Sequence, residues 1–113
     1  MLSQENRLKK EKDFQRVYKG GKINSPFFSL RYQHSKLKKI RVGVVVGRKV
    51  SAKSVERNQL KRRIRELVRE ILPDIKNNLD IVLTANPSSK ALNFQDMRQE
   101  IANLFKRAGL TNG

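Results

Sequence analysis

An α+β sandwich is the fold the sequence predicts: a small central sheet packed with helices, in the order α-β-β-α-β-α. Two observations predict it. Apolar residues recur at helical spacing in three segments, and β-branched or aromatic residues crowd three others. The chain has 113 residues, which suits one domain spanning 1–113, with ends at about 1–6 and 109–113 expected to be flexible.

The elements follow in order. Lys10 to Lys19 reads as a short helix, with Phe14, Val17 and Tyr18 at i, i+3, i+4. Gly20-Gly21 is expected to end it as a glycine C-terminus. After Pro26, Phe27 to Tyr32 reads as a strand, with Phe28, Leu30 and Tyr32 on one face and Phe27, Ser29 and Arg31 on the other. His34 to Lys39 is a polar, basic connection. Arg41 to Gly47 is β-branched and apolar, the pattern of a central strand. Ser54 is a candidate N-cap for a helix running to about Leu72, where Pro73 stops it. Asp80 to Ala85 is a third strand. Asn93 is a candidate cap for a last helix with Phe94, Met97, Ile101, Leu104, Phe105 and Ala108 on one side.

Charge is distributed unevenly along this scaffold. Residues 1–70 hold twenty-one bases and six acids, while residues 71–113 hold five and four. No acid occurs from Phe14 to Val55, where eleven bases sit. Such a one-sided excess creates a positive field that attracts polyanions, nucleic acid first among them. A generally basic surface is the plainer alternative. With no Cys, disulfide scaffolds, thiolate zinc sites and Cys nucleophiles are excluded. No apolar run approaches the ~18–20 residues of a membrane span. Met1 to Arg7 lacks the apolar stretch of a signal peptide, so a cytoplasmic location is expected.

The helix from Ser54 carries most of the information. At ~100° per residue, Leu60, Ile64, Leu67 and Ile71 share one arc, with Val68 nearby. Lys61, Arg62, Arg65 and Arg69 form a separate ridge with Asn58 among them, and Glu66 and Glu70 take the other flank. Arg57, Lys61, Arg65 and Arg69 repeat base-to-base at i, i+4, which costs a few tenths of a kcal/mol per pair. Phosphates would offset that, because guanidinium binds phosphate in bidentate fashion; the alternative is a solvated basic face. Phe14 and Tyr18 share a helix face, and Phe27 or Tyr32 reaches the same groove from the strand. Aromatic rings beside bases suit unpaired nucleotides, although the same spacing also suits core packing.

The segment Lys53-Ser54-Val55-Glu56-Arg57-Asn58-Gln59-Leu60-Lys61-Arg62-Arg63-Ile64-Arg65-Glu66 resembles the signature helix of the bacterial ribonuclease P protein subunit: a basic loop, an Arg-Asn-Arg core, then Lys-Arg and a further Arg. Asn6-Arg7-Leu8-Lys9-Lys10, Asp13-Phe14 with Val17-Tyr18, Arg41-Val42-Gly43 and Asp80-Ile81-Val82 match that family in the same order. One position departs, since Gln59 stands where the core has its second Arg. The resemblance implies an RNA-binding protein working in a ribonucleoprotein endonuclease that removes the 5′ leader from precursor tRNA. Its partners would be the RNA subunit, which would hold the Mg2+ ions, and the precursor tRNA. It also implies a left-handed β-α-β crossover, against the general right-handed rule. By the same resemblance Lys53, Arg57, Asn58, Lys61, Arg62 and Arg65 meet the RNA subunit. Phe14, Tyr18, Arg31 and Val45 fall at positions of a leader cleft, with Phe27 added from the aromatic reading.

The residues themselves point to a protein without catalytic groups or a metal site of its own. His34 is the single histidine, placed among Gln, Ser and Lys. Asp74, Asp80, Asp96 and Glu100 are scattered without partners at ligand spacing. Neither a membrane nor a small-molecule substrate is expected. The competing reading is a ribosomal or general RNA-binding module; a DNA-binding helix is weaker, because no helix-turn-helix spacing precedes Ser54.

Overall fold

The structure, a computed structural model, describes residues 2–111. A 3₁₀ turn at Gln4–Asn6 leads to helix α1, Glu11–Tyr18. Strands β1 (Gly21–Asn24), β2 (Phe28–His34) and β3 (Ile40–Val45) follow, then helix α2 (Ser54–Ile71), strand β4 (Leu79–Ala85) and helix α3 (Phe94–Arg107). The order is α-β-β-β-α-β-α, one strand more than expected. The additional strand is β1, four residues with Ile23 as its one large apolar side chain, too short to show a period.

The sheet order is β1-β2-β4-β3, with β3 and β4 parallel and the other pairs antiparallel. β3 therefore lies at an edge, not at the centre. Its apolar composition has another cause: the N-terminal segment covers that edge, with Arg7 bridging Val42 and Leu8 N–H donating to the Val42 carbonyl at 3.0 Å. β4 is an interior strand, and all its side chains except Thr84 are buried.

Alternation along β4 sorts the layers. Leu79, Ile81, Leu83 and Ala85 join the large core with Phe28 and Leu30 of β2, Ile64 and Leu67 of α2, and Met97, Ile101 and Phe105 of α3. Val82 faces the other way, to Leu8 and Val17, with Phe14, Tyr18 and Val45 packed around them. So α2 and α3 cover one face of the sheet, and α1 lies on the other.

The local end signals need two corrections. Asn93 does cap α3, accepting from Asp96 N–H at 2.8 Å. Ser54 does not cap α2: Lys53 occupies the cap position, while the Ser51 hydroxyl accepts from Lys53 N–H at 3.2 Å. Neither Gly20 nor Gly21 takes a positive φ. A Cβ on Gly21 would fall 2.2 Å from Tyr32 Cζ, so glycine here admits the ring across the hairpin. At the ends, Leu2 and Leu110 are buried and Thr111 bridges Ile75. Of the ends expected to be flexible, Met1, Asn112 and Gly113 lie outside the described residues.

Candidate nucleic-acid interface

The basic loop before α2 is held from within. Arg57 Nη1 donates to the carbonyls of Ser51 and Ala52, each at 3.0 Å. The Ser51 hydroxyl donates to Glu56 Oε1 at 2.6 Å. That hydrogen bond first, and the nearby Lys90 ammonium second, hold the Glu56 carboxyl below the usual carboxylate range. Arg57 thus shapes the loop, and Lys53 and Asn58 are left exposed beside it.

Further along α2, Arg62 is exposed, and Lys61 and Arg65 are half-buried at the edge of the core arc. Among the described residues none of Lys53, Lys61, Arg62, Arg63 or Arg65 forms an ion pair with a carboxylate. Arg69 differs, meeting Glu66 at 3.7 Å in an exposed pair. Such pairs contribute little, so the ridge is strongest from Lys61 to Arg65. Gln59 lies off the ridge, on the flank toward α3, and shares that flank with Arg63.

The α1 face of the sheet holds a groove. The Phe14 and Tyr18 rings stand 6.4 Å apart, tilted by 54°. Arg31 lies over the Tyr18 ring at 5.3 Å and donates to the Tyr18 carbonyl at 2.7 Å. A cavity of about 370 Å³ opens between Tyr18, Ser29, Arg31 and Thr84. The groove face of β2 is therefore the Ser29–Arg31 face, since Phe28 and Leu30 are core. Phe27 precedes β2 and packs against the large core, so it does not join Phe14, Tyr18, Arg31 and Val45. Gly43 explains how Phe14 lies so close to β3, because a Cβ there would sit 2.5 Å from Phe14 Cζ.

A second cavity, about 330 Å³, joins ridge and groove. Arg7, Lys9, Phe14, Gly43 and Arg65 are among its lining residues. Burial, and then the Arg7 guanidinium, push the Arg65 pKa down. Three cations and no acid line this cavity, an electrostatic setting that favours an anion over a cation. Sequence reasoning did not single out Arg7, Lys9, Ser29 or Thr84 for binding. Only strand pairing brings them to the groove, and the alternation of β4 was the available signal for Thr84.

The groove wall is anchored by a buried carboxylate. Asp80 is 0% exposed and accepts from Arg41 Nε at 2.9 Å, from Arg41 Nη2 at 2.7 Å and from Arg16 of α1. Arg41 also reaches Asp13 of α1 at 3.4 Å. The hydrogen bond to Asp80 outweighs desolvation and raises the Arg41 pKa. Two strands and α1 are thereby tied at one end of the groove. His34, at the end of β2, is exposed, and its carbonyl accepts from Arg16 at 2.9 Å. No group of three His, Cys, Asp or Glu able to hold a metal ion occurs among the described residues. No helix among them is long and apolar enough to cross a membrane.

This arrangement can bind a polyanion with unpaired bases: a cationic ridge, an aromatic groove and an anion cavity between them. The family model described as Ribonuclease P matches residues 2–109. The chain belongs to the ribonuclease P protein family. A ribonuclease P protein component from Clostridium botulinum is 39% identical over 96% of this chain and 98% of its own length. One from Pseudanabaena is 34% identical over 100% of this chain and 99% of its own. The Staphylococcus aureus RNase P protein structure superposes with a TM-score of 0.87 at 29% identity, covering 95% of this chain and 98% of that one. The Thermotoga maritima RNase P protein gives 0.80 at 30% identity, covering 89% and 96%. The mixed α+β architecture described above is thus that of bacterial RNase P proteins. Ribonuclease P proteins bind the RNase P RNA and assist tRNA 5′ processing, and the RNA performs the catalysis.

Proposed function

We propose that this chain grips two RNAs at once: the RNA subunit along the α2 ridge and the 5′ leader of precursor tRNA in the α1 groove. The observation that carries this reading is the shared cavity, in which Arg65 of α2 and Phe14 of α1 line one cationic pocket. Lys53, Asn58, Lys61, Arg62 and Arg65 contact RNA-subunit phosphates, and Arg57 presents their loop. Tyr18, Phe14 and Arg31 stack on and neutralise unpaired leader nucleotides, and Val45 supplies an apolar floor. The Mg2+ ions of the reaction sit mainly on the RNA subunit, and the location is cytoplasmic.

Reconstitution tests this directly. Adding the chain to a bacterial RNase P RNA at low magnesium should accelerate cleavage of precursor tRNA and favour precursor over mature tRNA in binding. Equal binding of the two tRNAs, with no acceleration, would leave only a general RNA-binding module.

A further inference from the structure

The flank of α2 opposite the groove carries a second aromatic feature. Helical spacing places Phe94 with the core residues of α3, yet the residue is 42% exposed. It stands at the first turn of α3, beyond the reach of the core, and walls a cavity of about 310 Å³ with Gln59, Arg62, Arg63 and Glu66 of α2. One exposed Phe is ordinary; its surroundings are not. Arg98 lies over the ring at 5.0 Å. That guanidinium is fixed in turn by Glu70, at 3.0 and 3.2 Å, and by Gln95 at 2.7 Å. Across the cavity, Arg62 and Arg63 are exposed and form no ion pair with a carboxylate among the described residues.

The chemistry differs from that of the ridge. A track for phosphate alone is best lined by cations. Here one ring is backed by a cation, and the opening is rimmed by the Gln59 amide, which can donate and accept, and by two guanidinium groups. Such a rim can both donate to and accept from a base edge, and the ring offers a stacking surface. We propose that this cavity takes one unpaired RNA nucleotide, its base against Phe94 and its phosphate on Arg62 or Arg63. The site rests on the RNA-binding function proposed above. It would let an RNA strand crossing the crest of α2 be held from both flanks.

The test compares Phe94→Leu, Phe94→Tyr and Arg63→Gln with the unaltered chain. Each is titrated with purified RNase P RNA, and each assembled holoenzyme with tRNA carrying or lacking a leader. Loss of one stacked base should weaken binding about tenfold in Phe94→Leu and be restored in Phe94→Tyr. Arg63→Gln, an exposed change that spares the fold, should lower the salt slope by about one unit. A loss with the RNA subunit alone assigns the nucleotide to that RNA, and a loss confined to leader-bearing tRNA assigns it to the leader. Unaltered affinity for every RNA in both Phe94→Leu and Arg63→Gln would overturn the site and leave the proposed function standing. Failure of the unaltered chain to bind the RNA subunit would overturn both.

Discussion

The two faces of the sheet use the same strands for opposite ends. Toward α2 and α3, Phe28, Leu30, Ile81 and Leu83 meet Ile64, Leu67, Met97, Ile101 and Phe105 in a closed core. Toward α1, the buried apolar cluster among the described residues is small, Leu8, Val17 and Val82, while Phe14, Tyr18 and Val45 stay partly open and Arg31 and Thr84 line a cavity. One face supplies stability, and the other leaves rings and cations unfinished for a ligand. Small basic proteins can hold a binding groove open because the burden of folding falls on the opposite layer.

Variants can break this division in order of expected size. Phe105→Ala empties the closed face and should cost about 3–5 kcal/mol in chemical unfolding; a cost below about 1 kcal/mol would show that α3 does not anchor the core. Asp80→Ala strands two guanidinium groups at the groove's end. Breaking a buried ionic contact costs about 3–5 kcal/mol, but Arg16 and Arg41 retain solvent access, so about 2 kcal/mol is expected. Phe14→Leu should leave the melting curve nearly unchanged and weaken leader binding by about 1–3 kcal/mol, measured as the affinity difference between precursor and mature tRNA. Replacing Lys61, Arg62 and Arg65 together with Ala should lower the slope of log affinity against log salt by roughly one unit per lost contact. An unchanged slope would mean the ridge does not touch phosphate.

The smallest effect concerns acid. The Glu56 carboxyl has a lowered pKa in the folded chain, chiefly through Ser51. Its contribution is therefore present above the ordinary carboxylate range and is lost as pH falls through the lowered value. Glu56→Gln should slightly flatten the acid limb of stability, as followed by circular dichroism, without changing the shape of the profile at neutral and alkaline pH.

The same contrast explains what could be read from the sequence. The closed face announces itself, because Leu60, Ile64 and Leu67, or Met97, Ile101 and Leu104, repeat with the helical period. The open face depends on pairing between distant segments. Nothing local shows that Arg31 lies opposite Val82, or that Arg7 bridges Val42. β3 reads as central because both its faces and its edge are covered, and composition does not distinguish a neighbouring strand from an N-terminal segment. Strand alternation draws Phe27 to the groove, but β2 begins at Phe28, and the Ser25 hydroxyl, accepting from Phe27 and Phe28 N–H, sets the preceding turn. The ridge from Lys61 to Arg65 is legible because a helix wheel needs only one element. The cavity it shares with Phe14 is not, because it needs the N-terminal segment, α1, β3 and α2 together.

The insertion of β4 between β2 and β3 also governs when the molecule can take shape. Neither flanking strand can pair with β4 until about residue 85 has been synthesised. By then the first 70 residues, with twenty-one bases against six acids, have already emerged. Sheet closure is thus a late event of high contact order. During synthesis the chain is thus a lengthening polycation before it can be a folded protein.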